Sequence, residues 1–184
     1  MKTITLNQII KPKYSSNYIE DRFYKIYLGE GVTVSFTNIK EAEKYINKLS
    51  LHANNCLTEI IEIQKLIYSE YWALWFYLDS RSHIKNGEKY RNIEKHIQNT
   101  FDLIYKNINK LILNTSSVNG IILLFNGFYD IIYYLQEIVK LLSEVRKNKK
   151  HLAEFNKLQT YNSMLNTLYM NIKSLQNNGL SSIP

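Results

Sequence analysis

Side chains that could carry out chemistry are few and widely spaced in this chain of 184 residues. Glu59 and Glu62 have Glu-x-x-Glu spacing, whereas a ferritin-type metal site needs Glu-x-x-His on paired helices. None of the 4 histidines follows a glutamate by three positions, and Cys56 alone cannot build a thiolate zinc site. The sequence therefore predicts no catalytic residue, no metal ligand and no cofactor, and we expect a non-enzymatic protein.

Two residues of interest fall on a predicted helical seam. Cys56 is interpreted as a small buried apolar residue; a single cysteine excludes an intramolecular disulfide and is compatible with a reducing compartment. Glu70 occupies a position where isoleucine or leucine would be expected. We expect that the seam drifts there or that Glu70 reaches an arginine or lysine, with a catalytic carboxylate as the less favoured alternative.

Basic residues gather near two predicted turns, although the net charge of +7 is spread along the chain. In a bundle, the turns at 79–87 and 146–151 would meet at one end. The cations that this would bring together, and that could contact phosphates, are Arg81, Lys85, Lys89, Arg91, Arg146, Lys147, Lys149 and Lys150. Few aromatic residues for base stacking lie among them. A solvated basic end is the favoured interpretation, and contact with an acidic protein or with DNA is the alternative.

One long helix organises the predicted fold. Asn38 can cap it, Glu41 can complete a capping box, and no glycine or proline follows until Gly87. Apolar residues recur along one seam at alternating steps of four and three: Ala42, Ile46, Leu49, Ala53, Cys56, Ile60, Ile63, Ile67 and Leu74. This spacing predicts a single helix from Asn38 to about Ser82, roughly 65 Å long.

Aromatic residues crowd the end of this helix: Tyr68, Tyr71, Trp72, Trp75, Phe76 and Tyr77. Rings on nearly all sides of a helix indicate burial on more than one side. We expect these rings to belong to the hydrophobic core, and the alternative is an aromatic contact surface for a partner.

Three further amphipathic helices are separated by polar turns. They are predicted at about 88–113, 118–147 and 151–176, with Gly179 as a suitable stop. Gly120 and Gly127 would allow close helix approach or a bend. Four helices joined by short turns predict an all-α fold, an up-down-up-down four-helix bundle with one long helix.

Residues 1–20 are predicted to form an extended arm with a short strand at Lys2–Leu6. Because a free terminus needs something to tie it down, we expect a neighbouring chain to hold this arm. Packing of the arm on its own bundle is the alternative.

A β-hairpin is predicted within 21–37, with strands Phe23–Leu28 and Val32–Phe36 around a turn at 29–31. Two glycines in this turn suit positive φ angles. The hairpin must lie against the long helix or add to another subunit's sheet, because an isolated hairpin is marginal in water. The arm and hairpin residues expected to make contacts are Ile4, Leu6, Ile9, Ile10, Tyr24, Ile26, Val32, Val34 and Phe36.

These segments are expected to form one domain, given the chain length: arm 1–20, hairpin 21–37, helical bundle 38–178 and tail 179–184. The start of the chain is too polar for a signal peptide. Polar residues interrupt the most apolar window, Ile121–Leu142. We therefore expect a soluble protein without membrane contact.

Residue usage points to an AT-rich genome. Ile, Asn, Lys and Tyr make up 79 of 184 residues, while Ala, Gly, Arg and Pro together give 16. With the extended arm, the small hairpin, the long-helix bundle and the lack of catalytic groups, the chain resembles small structural proteins of tailed phages. More narrowly, it resembles the portal-to-tail connector rings of crAss-like phages.

This resemblance implies a non-enzymatic virion protein, a ring-forming homo-oligomer in contact with the portal and neighbouring tail rings. It is assembled in the host cytoplasm, and the basic end could contact packaged DNA. The alternatives are a cytoplasmic four-helix interaction module of a cell and, less favoured, a DNA-binding protein.

Overall fold

The computed structural model describes residues 4–6, 9–13, 22–82, 87–114, 120–146 and 151–178. Its elements in chain order are β1 (Tyr24–Gly29), β2 (Val32–Phe36), α1 (Ile39–Ser82), α2 (Glu88–Asn114), α3 (Gly120–Arg146) and α4 (Leu152–Asn178). The prediction of an all-α four-helix bundle with a small β-hairpin is confirmed. The expected stop at Gly179, the tail and part of the strand expected at Lys2–Leu6 lie outside the described residues.

The long helix begins where the sequence predicts. The side chain of Asn38 accepts a hydrogen bond from the Lys40 N–H (2.9 Å), and its carbonyl accepts one from the Ala42 N–H (3.3 Å). This cap satisfies backbone donors that the first helical turn leaves without an intrahelical partner. From there α1 continues for 44 residues.

The buried seam of α1 shifts partway along the helix. Cys56 is only partly buried, which corrects the expectation that it is a core residue, and Leu57 occupies the interior instead. Beyond this point Gln64 and Tyr71 are buried at the same seven-residue spacing from Leu57. A straight helix has 3.6 residues per turn, so a seven-residue repeat drifts around it until a step of four restores the inward face.

The chain divides into two compact units, each assembled from separate stretches of sequence. Unit 1 comprises Met1–Leu57, Asn109–Phe128 and Met170–Pro184, and unit 2 comprises Thr58–Ile108 and Tyr129–Tyr169. Every helix contributes residues to both units.

The turn of the hairpin in unit 1 has the positive φ angles that a tight connection between two strands needs. Gly29 (φ 101°), Glu30 (φ 49°) and Gly31 (φ 78°) all have positive φ, a region that glycine adopts without steric cost. The buried carbonyl of Leu28 accepts a hydrogen bond from the side chain of Gln176 (3.4 Å). The Phe36 ring packs against Tyr45 of α1 (5.2 Å between centroids). The hairpin therefore lies against the start of the long helix, as one of the two expectations had it.

Helices α2 and α3 approach closely in unit 1 at Gly127. A Cβ atom placed there would collide with the side chain of Leu111, which is itself buried. The prediction that Gly127 permits close helix approach is confirmed.

In unit 2, α2 runs antiparallel to α1. Trp75 of α1 lies beside Glu94 of α2, and Tyr68 lies beside Phe101 further along the same helix. Gln136 of α3 donates a hydrogen bond to Asn166 of α4 (2.8 Å). Most of the apolar residues predicted to face inward on α2, α3 and α4 are buried, whereas Tyr90, Ile108, Val145 and Tyr161 are only half-buried. Those with almost no exposure include Ile97, Ile104, Ile121, Ile131, Leu135, Ile138, Leu142, Leu158, Leu165 and Ile172.

We predict that Gly127→Ala destabilises the protein by about 1–3 kcal/mol, because the added methyl group overpacks the contact with Leu111. Leu111→Ala alone should cost about 2–5 kcal/mol through the cavity it leaves. The double variant should lose less than the sum of the two, since the methyl group fills part of that cavity. Urea unfolding of the three variants measures this coupling, and strict additivity would contradict it.

Candidate interaction surfaces

The described part of the N-terminal arm is held by its own chain. The Ile4 N–H donates to Oδ1 of Asn54 (2.9 Å), and Nδ2 of Asn54 donates to the Ile4 carbonyl (3.1 Å). The Leu6 N–H donates to the Ser50 hydroxyl (3.3 Å), and both Ile4 and Leu6 are buried. The expectation that a neighbouring chain holds the arm is therefore wrong for these residues, because α1 supplies their polar partners and their side chains are buried within the single chain. Residues 4–6 also form no strand.

Ile10 adds a single bridge to the outer side of β1. Its N–H donates to the Lys25 carbonyl (2.9 Å), and its carbonyl accepts from the Lys25 N–H (3.0 Å). The Ile10 side chain is exposed and that of Ile9 is half-buried. Among the described residues of the arm, the strand-like contact is therefore at Ile10 and not at residues 4–6.

The hairpin has one apolar face and one polar face, as predicted. Ile26 is fully buried and pairs with Val34, while Tyr24 pairs with Phe36. The remaining predicted contact residues of this face are half-buried, namely Tyr24, Val32, Val34 and Phe36. These side chains serve the fold of the hairpin itself, and the large apolar side chains that it exposes are Phe23 and Tyr27.

The outer edge of β2 offers backbone instead. Lys25 directs its N–H and carbonyl away from β2 toward Ile10, and Lys25 pairs with Ser35. In an antiparallel pair, the backbone N–H and carbonyl groups of two directly opposed residues point either toward each other or both away from the opposite strand. Ser35 therefore directs its N–H and carbonyl away from β1. Within the described residues no strand pairs with this edge.

The aromatic end of α1 is divided between core and surface. Tyr71 and Leu74 are buried, whereas Phe76 is 74 %, Trp72 48 % and Leu66 42 % exposed. The expectation that all these rings belong to the core is wrong for Trp72 and Phe76. The exposed rings stack on half-buried ones, with Trp72 edge-on to Tyr68 (6.0 Å) and Phe76 edge-on to Trp75 (5.0 Å). Large exposed apolar patches of this kind mark interaction sites.

Glu70 is part of a charge cluster in unit 2. Its carboxylate lies 3.5 Å from the guanidinium of Arg146 and 3.6 Å from the ammonium of Lys157. Arg146 also lies 4.0 Å from Glu154 and donates to the backbone carbonyl of Glu70 (3.4 Å). The expectation that Glu70 reaches an arginine or lysine is confirmed. The cluster is largely internal, since the side chains of Arg146 and Glu70 are 5 % and 12 % exposed.

Burial removes Arg146 from the predicted basic end, because its charge is used to neutralise a buried carboxylate. Tyr77 contacts both Tyr90 (6.3 Å) and His151 (6.4 Å), so described residues that flank the two predicted turns come together. Lys89 and Arg91 are exposed there. The side chains of the other predicted cations lie outside the described residues: Arg81, Lys85, Lys147, Lys149 and Lys150.

A groove of about 640 Å³ runs along α3 and α4 in unit 2. Its lining is rich in amides and carboxylates and includes Tyr133, Gln136, Glu137, Lys140, Ser143, Glu144, Phe155, Gln159, Asn162 and Asn166. The Ser143 hydroxyl is buried and has no hydrogen-bond partner among the described residues. Such a groove can donate and accept hydrogen bonds but carries no nucleophile paired with a base.

The described ranges contain neither a metal-ion cluster nor a candidate membrane span. Among their residues, no three histidine, cysteine, aspartate or glutamate side chains lie close enough together to hold a metal ion. None of the helices in these ranges has the length and apolar character needed to cross a bilayer.

Comparisons with protein-family models, with curated proteins and with solved structures detect no match to this chain. The surfaces described above are therefore what a proposal of function must use. Sequence patterns missed the role of Asn54 and gave the exposed aromatic surface of α1 only as the less favoured alternative. Asn54 holds the arm across 50 residues of sequence, a separation at which local periodicity carries no information. The exposed apolar residues of α1 did have a signal, because Leu66, Ala73 and Phe76 are spaced by seven and three residues and so share one side of the helix.

We predict that Arg146→Met destabilises the protein by about 3–5 kcal/mol, because it leaves the buried Glu70 carboxylate without its principal counter-charge. Adding Glu70→Met should recover most of that loss, since no unpaired buried charge remains. Lys157→Met is the matched control: its side chain is 60 % exposed, so the change should cost less than about 1 kcal/mol. Denaturant unfolding measures all three, and equal losses for Arg146→Met and Lys157→Met would contradict the prediction.

Tyr71 gives a dependence of stability on alkaline pH. Burial raises the pKa of its phenol, the carboxylate of Glu94 raises it further, and the hydrogen bond from Gln98 (3.1 Å) acts in the opposite direction. A phenol whose pKa is higher in the folded than in the unfolded state stabilises the fold fully below its unfolded pKa of about 10. That contribution is lost as the pH rises through the folded pKa.

We therefore expect Tyr71→Phe to lose about 1 kcal/mol near neutral pH, through the missing hydrogen bond. As the pH rises above about 10, the free energy of unfolding of this variant should fall less than that of the wild type. Denaturant unfolding at a series of pH values measures the difference. Tyr105→Phe, at an exposed position of α2, is the control, and an identical pH profile for wild type and Tyr71→Phe would contradict the assignment.

Proposed function

We propose that this chain is a non-enzymatic structural subunit of an oligomeric protein assembly. It joins its neighbours by strand addition at the outer edge of β2. The observation that carries this proposal is the outward direction of the Ser35 backbone N–H and carbonyl, in a strand whose outer edge pairs with no strand of the described chain. An extended segment of a neighbouring subunit would complete these hydrogen bonds.

Physical reasons favour use of this edge. An uncovered strand edge is a template for pairing with another chain, and proteins usually shield it with bulges, prolines or charges. The one irregularity in this hairpin lies between Tyr27 and Gly29, on the other strand. The β2 sequence Val-Thr-Val-Ser-Phe contains no charge and no proline. Such a strand has the composition of one that is joined by a partner.

Within this proposal, the assembly is the connector ring between the portal and the tail of a tailed phage. The supporting features are the AT-rich residue usage, the hairpin and the helical bundle, which resemble the connector rings of crAss-like phages. The partners would be further copies of this chain around the ring, the portal and neighbouring tail rings. The location would be the virion.

The experiment uses the full chain and the variant Ser35→Pro. Proline lacks the outward N–H that strand addition needs, and an edge strand tolerates it where the N–H faces solvent. We expect the wild type to form a species several times heavier than the 21.8 kDa chain and Ser35→Pro to be smaller. Light scattering after gel filtration measures the mass, and electron microscopy shows whether a ring forms.

Ser35→Ala is the matched control, since it keeps the backbone donor and should assemble like the wild type. Circular dichroism verifies that both variants retain their helices. Undiminished assembly of Ser35→Pro would reject the β2 edge as the joint. A wild-type chain that stays a monomer at every concentration, with or without portal and tail proteins, would reject the assembly proposal.

A further inference from the structure

An exposed stripe on the second half of α1 has no cover from the described part of its own chain. At alternating steps of four and three it carries Glu62, Leu66, Ser69, Ala73, Phe76 and Ser80, all exposed. We call this set the α1 stripe. Trp72 flanks it on one side, also exposed. On the first half of α1, the exposed face is polar and includes Lys44, Asn47, Lys48 and Asn55, with Leu51 as its one large apolar residue.

The sizes along the α1 stripe are arranged symmetrically. Two small residues, Ser69 and Ala73, occupy its centre, and a large apolar residue lies beyond each of them, Leu66 on one side and Phe76 on the other. When two such stripes run antiparallel, Leu66 meets the partner's Phe76 and Ser69 meets the partner's Ala73. The small residues let the two helices approach closely, and the large ones fill the space beyond.

We propose that two copies of this chain pair through the α1 stripe, with the two helices antiparallel about a twofold axis that passes near Trp72. A twofold contact uses the same surface on both copies, so that surface has to complement itself. The α1 stripe meets this requirement in size, and Trp72 would stack on the partner's Trp72 at the axis.

Charge complementarity independently favours a second copy as the occupant. Lys65, Trp72 and Asp79 lie seven residues apart along the same flank of the α1 stripe. In antiparallel helix pairs, flanking positions of this kind face each other across the seam. Lys65 of each copy then faces the partner's Asp79, so the pair forms two attractive contacts. A parallel arrangement would instead place this flank against the opposite flank of the partner helix and would not bring Lys65 to Asp79.

This pairing goes beyond the proposed function and does not rest on it. The β2 edge joins one surface to a different one, whereas the α1 stripe joins a surface to its own copy. The two contacts use separate residues, so each can be abolished while the other is measured.

The first test uses the full chain carrying Ser35→Pro, so that strand addition does not contribute. Sedimentation velocity from about 1 to 100 µM should show a monomer–dimer equilibrium, because a contact of one helix on one helix is smaller than a standard interface. Phe76→Ser should weaken dimerisation at least tenfold. Leu51→Ser, an exposed leucine on the same helix outside the α1 stripe, should leave it unchanged.

The second test exchanges charges. Lys65→Glu and Asp79→Lys should each weaken self-association about fivefold, because each places like charges across the seam. A mixture of the two variants should dimerise as well as the parent chain, since each of its two flanking contacts then joins a carboxylate of one copy to an ammonium of the other. Circular dichroism of each variant verifies that the helices are intact.

Three outcomes would overturn the proposal. They are a monomer throughout the concentration range, equal losses for Phe76→Ser and Leu51→Ser, and a mixture of the charge variants that associates no better than either alone. The last result distinguishes an antiparallel pair of copies from a non-specific aromatic contact.

Discussion

Burial of one continuous apolar face along α1 is the constraint on which the rest of the structure depends. The face runs from Ala42 to Leu74 without a break, and an isolated helix with so much exposed apolar surface would not be stable in water. In unit 1 the hairpin and the arm lie against α1, through Tyr45 and Asn54. In unit 2, α2 packs on it through a series of rings. Helix length alone would contribute little without this cover, since most helical stability in proteins comes from packing.

The same constraint explains why the helices could be predicted from the sequence, whereas the buried residues of α1 could be predicted only in part. Periodicity identified α1 to α4 within a few residues because each helix buries a face that repeats every 3.6 residues. The repeat of seven placed Cys56 inside, and the structure buries Leu57, since the inward face of a straight helix drifts against that repeat. The predicted seams of α3 and α4 are buried over most of their length, but Val145 and Tyr161 are only half-buried, and Arg146 is buried at the end of α3 instead of Val145.

Interaction surfaces were less predictable than the core because they depend on where distant residues meet. Arg146 illustrates this. Its position near a predicted turn suggests an exposed cation, but its side chain is buried and forms an ion pair with Glu70. Asn54 reads as an ordinary polar position on a helix, and its side-chain amide pairs with the Ile4 backbone as a neighbouring strand would. The aromatic residues near the end of α1 include both buried and exposed rings. The position of α2 determines that Tyr71 is buried while Trp72 is exposed, and the sequence pattern does not show that position.

The positions of the two tryptophans have a practical consequence for any study of how this protein unfolds. Trp72 and Trp75 are its only tryptophans, they contact each other (5.9 Å), and both belong to unit 2. Their fluorescence therefore reports the melting of unit 2, whereas far-ultraviolet dichroism sums over both units. If the optical transitions coincide, the four helices, each with residues in both units, couple the unfolding of one unit to that of the other, and the molecule behaves as a single cooperative system. If they separate, the difference between the midpoints of the fluorescence and dichroism transitions measures how independently the two units unfold.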